Sequence, residues 1–165
     1  MTPWQLASTS ESSQQVALFC FCAKAQKIGF SAAKIETYWK VPDPDFEKLN
    51  GVPELAYFHH IPNGGTRGDT ARSRAIAGGQ LKAEGVKPGV LDCFWPLKRG
   101  GFSGLFIEMK KPALKKDNDP INGLSEEQLG FGGFAIDNGF NCVVCYTWLE
   151  AANALEEYYN LENAV

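Results

Sequence analysis

The chain has 165 residues, of which 44% are hydrophobic and 21% charged, and its formal net charge is −3. These values are ordinary for a globular protein, so they argue against disorder and against fibrous structure. No apolar run approaches the roughly 20 residues that span a bilayer, and the start "MTPWQLASTSES" lacks the basic and apolar regions of a signal peptide. Five cysteines, an odd number, favour reduced thiols over a disulfide framework. We therefore expect a cytoplasmic protein without a membrane partner.

The first half of the chain predicts two long helices, one short helix and one strand. "SESSQQVALFCFCAKAQKIG" begins with Ser and Glu and ends at Gly29, which indicates a mostly buried helix over residues 12–27. Residues 30–53 contain several prolines and indicate irregular structure with a short helix near 32–39. "ELAYFHHI" is typical of a strand, and "PNGG" after it is typical of a turn. Residues 69–84 have a helical pattern that ends at Gly85.

The second half predicts a hairpin, two helices and a further strand. Residues 90–95 and 105–110 are apolar runs around Gly100–Gly101, which favours an antiparallel hairpin. "LSEEQLGFGGFAIDNG" has the spacing of a capped helix, "CVVCYT" that of a strand, and "LEAANALEEYYNL" that of a closing helix. This order predicts one α/β domain over residues 1–165, with a central mixed sheet flanked by helices.

The hairpin places two carboxylates in an unusual position. Asp92 and Glu108 each lie eight residues from position 100, so a turn there sets them opposite one another. Directly opposed residues are about 5 Å apart at their Cβ atoms, and like charges at that distance repel unless a cation or a proton lies between them. Alternation along the strand puts Lys110 on the same face as Glu108. These three residues can hold one or two Mg²⁺ ions, with water and substrate phosphate completing the shell, although an Asp and a spaced E-x-K are also common in any sequence.

The distribution of charge supports a polyanionic partner. Residues 66–116 contain eleven Lys or Arg against four acidic residues, a net +7, whereas the rest of the chain carries −10. Such a block favours nucleic acid, although a solvated charged face explains it equally well. Its candidate DNA-binding residues are Arg67, Arg72, Arg74, Lys82, Lys87, Lys111, Lys115 and Lys116.

Six ordered pieces of the sequence resemble a known family. They are "SESSQQVALF", "FHHIPNGG", "LKAEGVKPGVLD", "GLFIEMKKP", "LSEEQ" and "NGFNCVVCYTWLEA". Together they are similar to the VRR-NUC (virus-type replication and repair) nucleases, a branch of the PD-(D/E)xK superfamily. The likeness runs from about Ser10 to Tyr159 and is to the small stand-alone phage and bacterial members. It implies a restriction-endonuclease-like core.

The resemblance also implies roles for residues of this chain. Asp92 and Glu108 match the metal carboxylates, the Met109 carbonyl a further ligand, and Lys110 the catalytic lysine. Gln128 matches a glutamine that supports the site. The implied activity is metal-dependent hydrolysis of DNA by a homodimer that resolves four-way (Holliday) junctions. A non-catalytic DNA-binding module, an RNA substrate and a sequence-specific restriction enzyme remain alternatives.

Several matches have plainer explanations. Glu11 matches an acidic residue that reaches the metal and Gln15 a glutamine, yet Glu11 also suits the positive end of a helix. Gln128 has the spacing of a capping box with Ser125. The match also departs from the family at Leu91, where a proline usually precedes the aspartate.

Two residue pairs invite a metal interpretation. His59 and His60 are adjacent, and neighbours on a strand face opposite ways, so at most one of them could join the site. Cys142 and Cys145 have C-x-x-C spacing but lie in an apolar strand without a second pair, which favours core thiols.

Overall fold

The computed structural model describes residues 1–36, 39, 51–62 and 70–162, except for the side chains of residues 72 and 74. The helices are α1 (Pro3–Leu6), α2 (Glu11–Ile28), α3 (Phe30–Ala33), α4 (Ala71–Ala83), α5 (Glu126–Asp137) and α6 (Trp148–Tyr159). The strands are β1 (His59–His60), β2 (Cys93–Trp95), β3 (Leu105–Met109) and β4 (Asn141–Cys145). Short 3-10 helices cover Pro53–Tyr57 and Pro112–Leu114.

The four strands form one mixed sheet in the order β1-β2-β3-β4. β1 with β2 and β2 with β3 are antiparallel, whereas β3 and β4 are parallel. A parallel pair needs a crossover connection, and α5 lies within that connection. The expected α/β architecture with a mixed sheet flanked by helices is therefore confirmed.

The hairpin has the register that the sequence predicts. Cys93 pairs with Ile107 and Trp95 with Leu105. The turn between the strands uses Gly100 and Gly101, whose φ angles of 56° and 85° lie in the region that favours glycine. Continued by one residue, this register sets position 92 opposite position 108.

Helices cover both faces of the sheet. On one face α2 and α6 pack against the main core, which includes the fully buried Phe21, Ile107 and Leu155. On the other face α5 contributes to a smaller cluster around Phe106 and Ala135. Every residue of β3 is buried, so a charged side chain on this strand lies inside the fold.

The first long helix begins and ends where the sequence predicts, to within one residue. The Ser10 hydroxyl accepts a hydrogen bond from the Ser13 amide (3.1 Å), and Gly29 ends α2 with a φ of 83°. Its 18 residues bury one face against the core. Neither α2 nor any other helix in the described parts of the chain is both long and apolar enough to cross a membrane.

The strand predicted over "ELAYFHHI" is mostly wrong. Pro53–Tyr57 forms a 3-10 helix, and the strand is limited to His59–His60. Pro53 has a φ already suited to a helical first turn, and the Glu54 carbonyl accepts a hydrogen bond from Trp95 Nε1 (2.9 Å). Of the short helix expected near 32–39, residues 32 and 33 belong to α3 (Phe30–Ala33) and residues 37–38 lie outside the described residues, as does the "PNGG" turn apart from its proline.

Candidate metal and catalytic site

Asp92 and Glu108 lie together at one end of the hairpin. The Asp92 amide donates to Glu108 Oε2 (3.2 Å), and the Met109 amide donates to Asp92 Oδ2 (3.0 Å). Each carboxylate is thus bound by the backbone of the opposite segment. The opposition expected from the hairpin register is present in the structure.

Lys110 and Gln128 complete the polar network around Glu108. Lys110 Nζ lies 2.8 Å from Glu108 Oε1 and donates to Gln128 Oε1 at 3.0 Å. Gln128 Nε2 in turn donates to Glu108 Oε1. Glu108 is 1% exposed and Lys110 8%, so the two charges are paired in a largely desolvated place. Burying such a pair is costly unless each group is hydrogen-bonded, and here both are.

Gln128 lies in the first turn of helix α5 and takes part in its N-terminal cap. The Ser125 hydroxyl accepts from the Gln128 amide (3.3 Å), and Gln128 Oε1 accepts from the Ser125 amide (3.0 Å). This is the reciprocal capping box that the spacing suggests. The same glutamine side chain contacts Glu108 and Lys110, so the capping interaction and the contact with the site coexist in one residue.

Burial and repulsion make negative charge at this site unfavourable. Burial, with the neighbouring Asp92 charge, raises the pKa of Glu108 to about 7, although Lys110 acts against the shift. Burial also raises the pKa of Asp92, whereas the Met109 amide and Lys110 lower it. Two acidic groups that are held together and resist ionisation are a suitable environment for a cation.

The donor set fits a hard divalent cation. Mg²⁺ is commonly held by one or two carboxylates, while water and phosphate oxygens complete its shell. Asp92 and Glu108 supply the carboxylates, and the Met109 carbonyl between Glu108 and Lys110 is the expected third oxygen. In the described part of the chain no three His, Cys, Asp or Glu side chains converge on one point, so a zinc-type cage is not formed there.

Glu11 is close enough to the site for the charges of Lys110 and Asp92 to shift its pKa. It is the first residue of α2, and burial raises its pKa. Lys110 lowers that pKa and Asp92 raises it further. The electrostatic coupling supports the expected position beside the site, whereas direct ligation by Glu11 stays a prediction, as does the role of Gln15 one turn along the helix.

The two histidines contact different backbone carbonyl groups. His60 Nδ1 lies 2.9 Å from the Asp92 carbonyl oxygen. His59 Nδ1 instead lies 2.9 Å from the Tyr57 carbonyl oxygen, and its ring packs edge-on against Phe94. At most one histidine was expected at the site, and in the structure His60 contacts the backbone of Asp92, while metal binding by His60 stays untested. The signal in the sequence was weak, because strand alternation alone does not say which neighbour faces the site.

The cysteines are core thiols. Burial raises the pKa of Cys142 to about 11 and that of Cys145 to about 12, which keeps both neutral at physiological pH. Both are free, like the other three.

Leu91, in place of the expected proline, is part of the smaller core cluster. Its side chain is buried in the small cluster with Phe106 and Ala135. Packing therefore anchors the residue that precedes Asp92.

The candidate DNA-binding residues are partly described. Lys82, Lys87, Lys111, Lys115 and Lys116 are exposed, and Lys115 Nζ also pairs with Glu150 (2.7 Å). Arg72 and Arg74 lie on α4, but their side chains, like the whole of Arg67, are outside the described residues. Exposure makes the five lysines accessible to a polyanion, and their contact with DNA stays a prediction.

The mixed sheet flanked by helices is consistent with a restriction-endonuclease-like α/β core, and its hairpin carries the carboxylate pair and the lysine. A solved structure described as a "VRR_NUC domain protein" matches the chain with a TM-score of 0.56 and 20% sequence identity. The match covers 96% of this chain and 94% of that one. No protein-family model matches the sequence, and no curated protein does. The chain therefore has the fold of a VRR_NUC domain protein, as its sequence motifs imply.

Proposed function

We propose that this protein is a metal-dependent nuclease that hydrolyses DNA phosphodiester bonds with an activated water molecule. The observation that carries the proposal is the network in which Asp92 and Glu108 oppose one another while Lys110 and Gln128 bind Glu108. The fold shared with a VRR_NUC domain protein supports the same class of activity.

Each residue of the network has a chemical role in this reaction. Asp92, Glu108 and the Met109 carbonyl would hold Mg²⁺ or Mn²⁺, which supplies Lewis-acid activation of water and phosphate. Lys110 keeps a positive charge beside the carboxylates and can orient the attacking water or stabilise charge on the phosphate. Gln128 holds the carboxylate of Glu108 and the ammonium of Lys110 in fixed relative positions.

The carboxylate pair favours an enzyme over a simple DNA-binding module. Phosphate binding needs positive charge, and opposed carboxylates of raised pKa work against it. A metal site removes that conflict, because the cation neutralises the carboxylates and adds attraction for phosphate. The exposed lysines of the basic block then provide contacts along the DNA backbone.

Within this class, the preferred substrate that we propose is a four-way junction, cut by a homodimer. One copy of the chain supplies one such site, and resolving a junction requires two cuts related by a two-fold axis. Two-fold dimers are the commonest oligomers and match that symmetry. A monomer of 18.1 kDa by light scattering at micromolar concentration would exclude the dimer and leave the nuclease proposal intact.

Cleavage of a substrate panel tests the proposal. Labelled duplex, flap, splayed-arm and four-way-junction DNA, with one RNA duplex, are incubated with the protein and Mn²⁺, Mg²⁺ or EDTA. We expect metal-dependent cleavage that is fastest on the junction and lost in Glu108→Gln. DNA binding without cleavage under every condition would favour the non-catalytic alternative, and preferential cleavage of the RNA would reassign the substrate.

A further inference from the structure

The carbonyl group of Asp92 accepts two hydrogen bonds from the neighbouring edge of the sheet. The Ile61 amide donates to it at 2.7 Å, and His60 Nδ1 lies 2.9 Å from the same oxygen. A carbonyl oxygen only accepts, so the proton of this contact is on Nδ1 of His60. His60 is exposed, and its other nitrogen, Nε2, is not needed for the contact.

This contact is one of four hydrogen bonds that fix Asp92, together with that of the Ile61 amide to the same oxygen. The Asp92 amide donates to Glu108 Oε2, and its carboxylate accepts from the Met109 amide. Both of those partners lie on β3, so these two hydrogen bonds hold Asp92 only from the β3 side. On the other side β1 has two residues, and directly after it the Ile61 amide is the backbone donor to the Asp92 carbonyl. The side chain of His60 adds a second donor to that carbonyl.

We propose that His60 is a positioning residue for Asp92. Its Nδ1–H group holds the Asp92 carbonyl, and this keeps the Asp92 carboxylate opposite Glu108 in the geometry that binds the metal ion. The inference rests on the proposed metal-dependent function. His60 neither ligates the metal nor contacts the substrate in this role.

A histidine beside a nuclease site also suggests a different role, in which Nε2 contacts a DNA phosphate. The two roles use different ring nitrogens, and amide side chains separate them. The amide nitrogen of asparagine falls near the position of Nδ1, whereas the longer glutamine places its amide near Nε2. His60→Asn therefore keeps the donor to Asp92, and His60→Gln keeps a donor toward the substrate.

The test compares His60→Asn, His60→Gln and His60→Ala with the wild type. Two measurements are made: single-turnover rates over a range of junction DNA concentrations, which give the saturated rate and KM, and the affinity for Mn²⁺ alone by calorimetry. Loss of a residue that orients a metal ligand typically lowers affinity or activity by about 10- to 100-fold. We expect losses of that size in His60→Gln and His60→Ala, near wild-type values in His60→Asn, and an unchanged KM for DNA throughout. His59→Asn is the matched control and should change none of these quantities, because His59 bonds to the Tyr57 carbonyl.

Three results would overturn the positioning role. His60→Gln as active as wild type with His60→Asn impaired would assign the function to Nε2, and full activity in all three variants would leave His60 without a role. Equal losses in all three, together with a lowered melting temperature, would indicate a general effect on folding. If the wild type cleaves no DNA, the nuclease proposal fails, while the Mn²⁺ affinities of the same variants still decide the inference. A wild type that binds no Mn²⁺ would remove both.

Discussion

The backbone amide of Asp92 donates a hydrogen bond to Oε2 of Glu108 across 3.2 Å, so the residue that carries one carboxylate also orients the other. Both carboxylates are partly or fully removed from water, and the pKa of each is raised. A cation between them relieves the repulsion that the fold imposes. The energetic strain of the pair in the free protein is therefore the basis of the metal affinity that we propose.

The isosteric changes Glu108→Gln and Asp92→Asn should abolish cleavage and weaken Mn²⁺ binding. Each removes one anionic ligand with little change in shape, so DNA binding should persist, or tighten because negative charge is lost. Calorimetry with Mn²⁺ and a gel-based cleavage assay check the two expectations. Asp137→Asn, at the exposed end of α5, is the control and should behave as wild type. Substantial cleavage by either site variant would show that the carboxylates are misassigned.

Lys110 and Lys111 should have separable functions. Lys110 is buried against Glu108 and Gln128, whereas Lys111 is exposed. Lys110→Met should slow the chemical step by about 100-fold or more, the usual cost of losing a group that stabilises developing charge. Lys111→Ala should raise KM for DNA and leave the saturated rate unchanged. Single-turnover kinetics at several DNA concentrations measure both effects, and equal behaviour of the two variants would place Lys110 merely in the basic surface.

Gln128 should matter to the site beyond its part in the cap of α5. Ser125→Ala removes the hydroxyl of the capping box without touching Glu108, and its cost should be a stability loss of about 1 kcal/mol. Gln128→Ala removes the contacts with Glu108 and Lys110 as well, so it should also reduce the cleavage rate by about 10- to 100-fold. Chemical denaturation and cleavage rates separate the two effects. Rates that fall equally in both variants would reduce the role of Gln128 to capping.

The sequence predicts the opposed carboxylates and the capping box of α5 better than the contact of His60 with Asp92. The glycines at 100 and 101 fix the hairpin turn, and the turn fixes which residue faces Glu108, so that opposition follows from counting along the chain. The capping box of α5 is likewise local. By contrast, the contact of His60 with Asp92 depends on where β1 begins, and the 3-10 helix at Pro53–Tyr57 shortens that strand. The apolar residues of 53–57 are typical of a strand, so the sequence alone does not distinguish a strand from a 3-10 helix there.

The depth of burial of Lys110 also cannot be predicted from the local sequence pattern. In the sequence it is one of eleven basic residues in a charged block, and strand alternation places it on the face of Glu108 without indicating how deeply it is buried. Its low exposure results from α5 packing on the sheet face that carries Glu108. Tertiary contacts of this kind decide which members of a charged block belong to a site.

The raised pKa of Glu108 predicts an unusual pH dependence of stability in the metal-free protein. The pKa rises from 4.5 to about 7 on folding, so between these values the folded state binds more protons than the unfolded state. The contribution of Glu108 to the free energy of unfolding is therefore complete below pH 4.5 and is lost as the pH rises through about 7. A shift of this size corresponds to a loss on the order of 3 kcal/mol. The raised pKa of Asp92 acts in the same direction.

Urea denaturation in EDTA between pH 4.5 and 8.5 tests this expectation against Glu108→Gln, which cannot ionise at that position. Because titrating groups away from the site are common to both proteins, the difference between their unfolding free energies reports on Glu108 and on the Asp92 that it repels. That difference should shift steadily against the wild type as the pH rises, and saturating Mn²⁺ should restore wild-type stability at the upper end, where the carboxylate is free to bind it. A difference that stays constant across the range would mean that Glu108 ionises normally, and the repulsion argued for the carboxylate pair would then be absent.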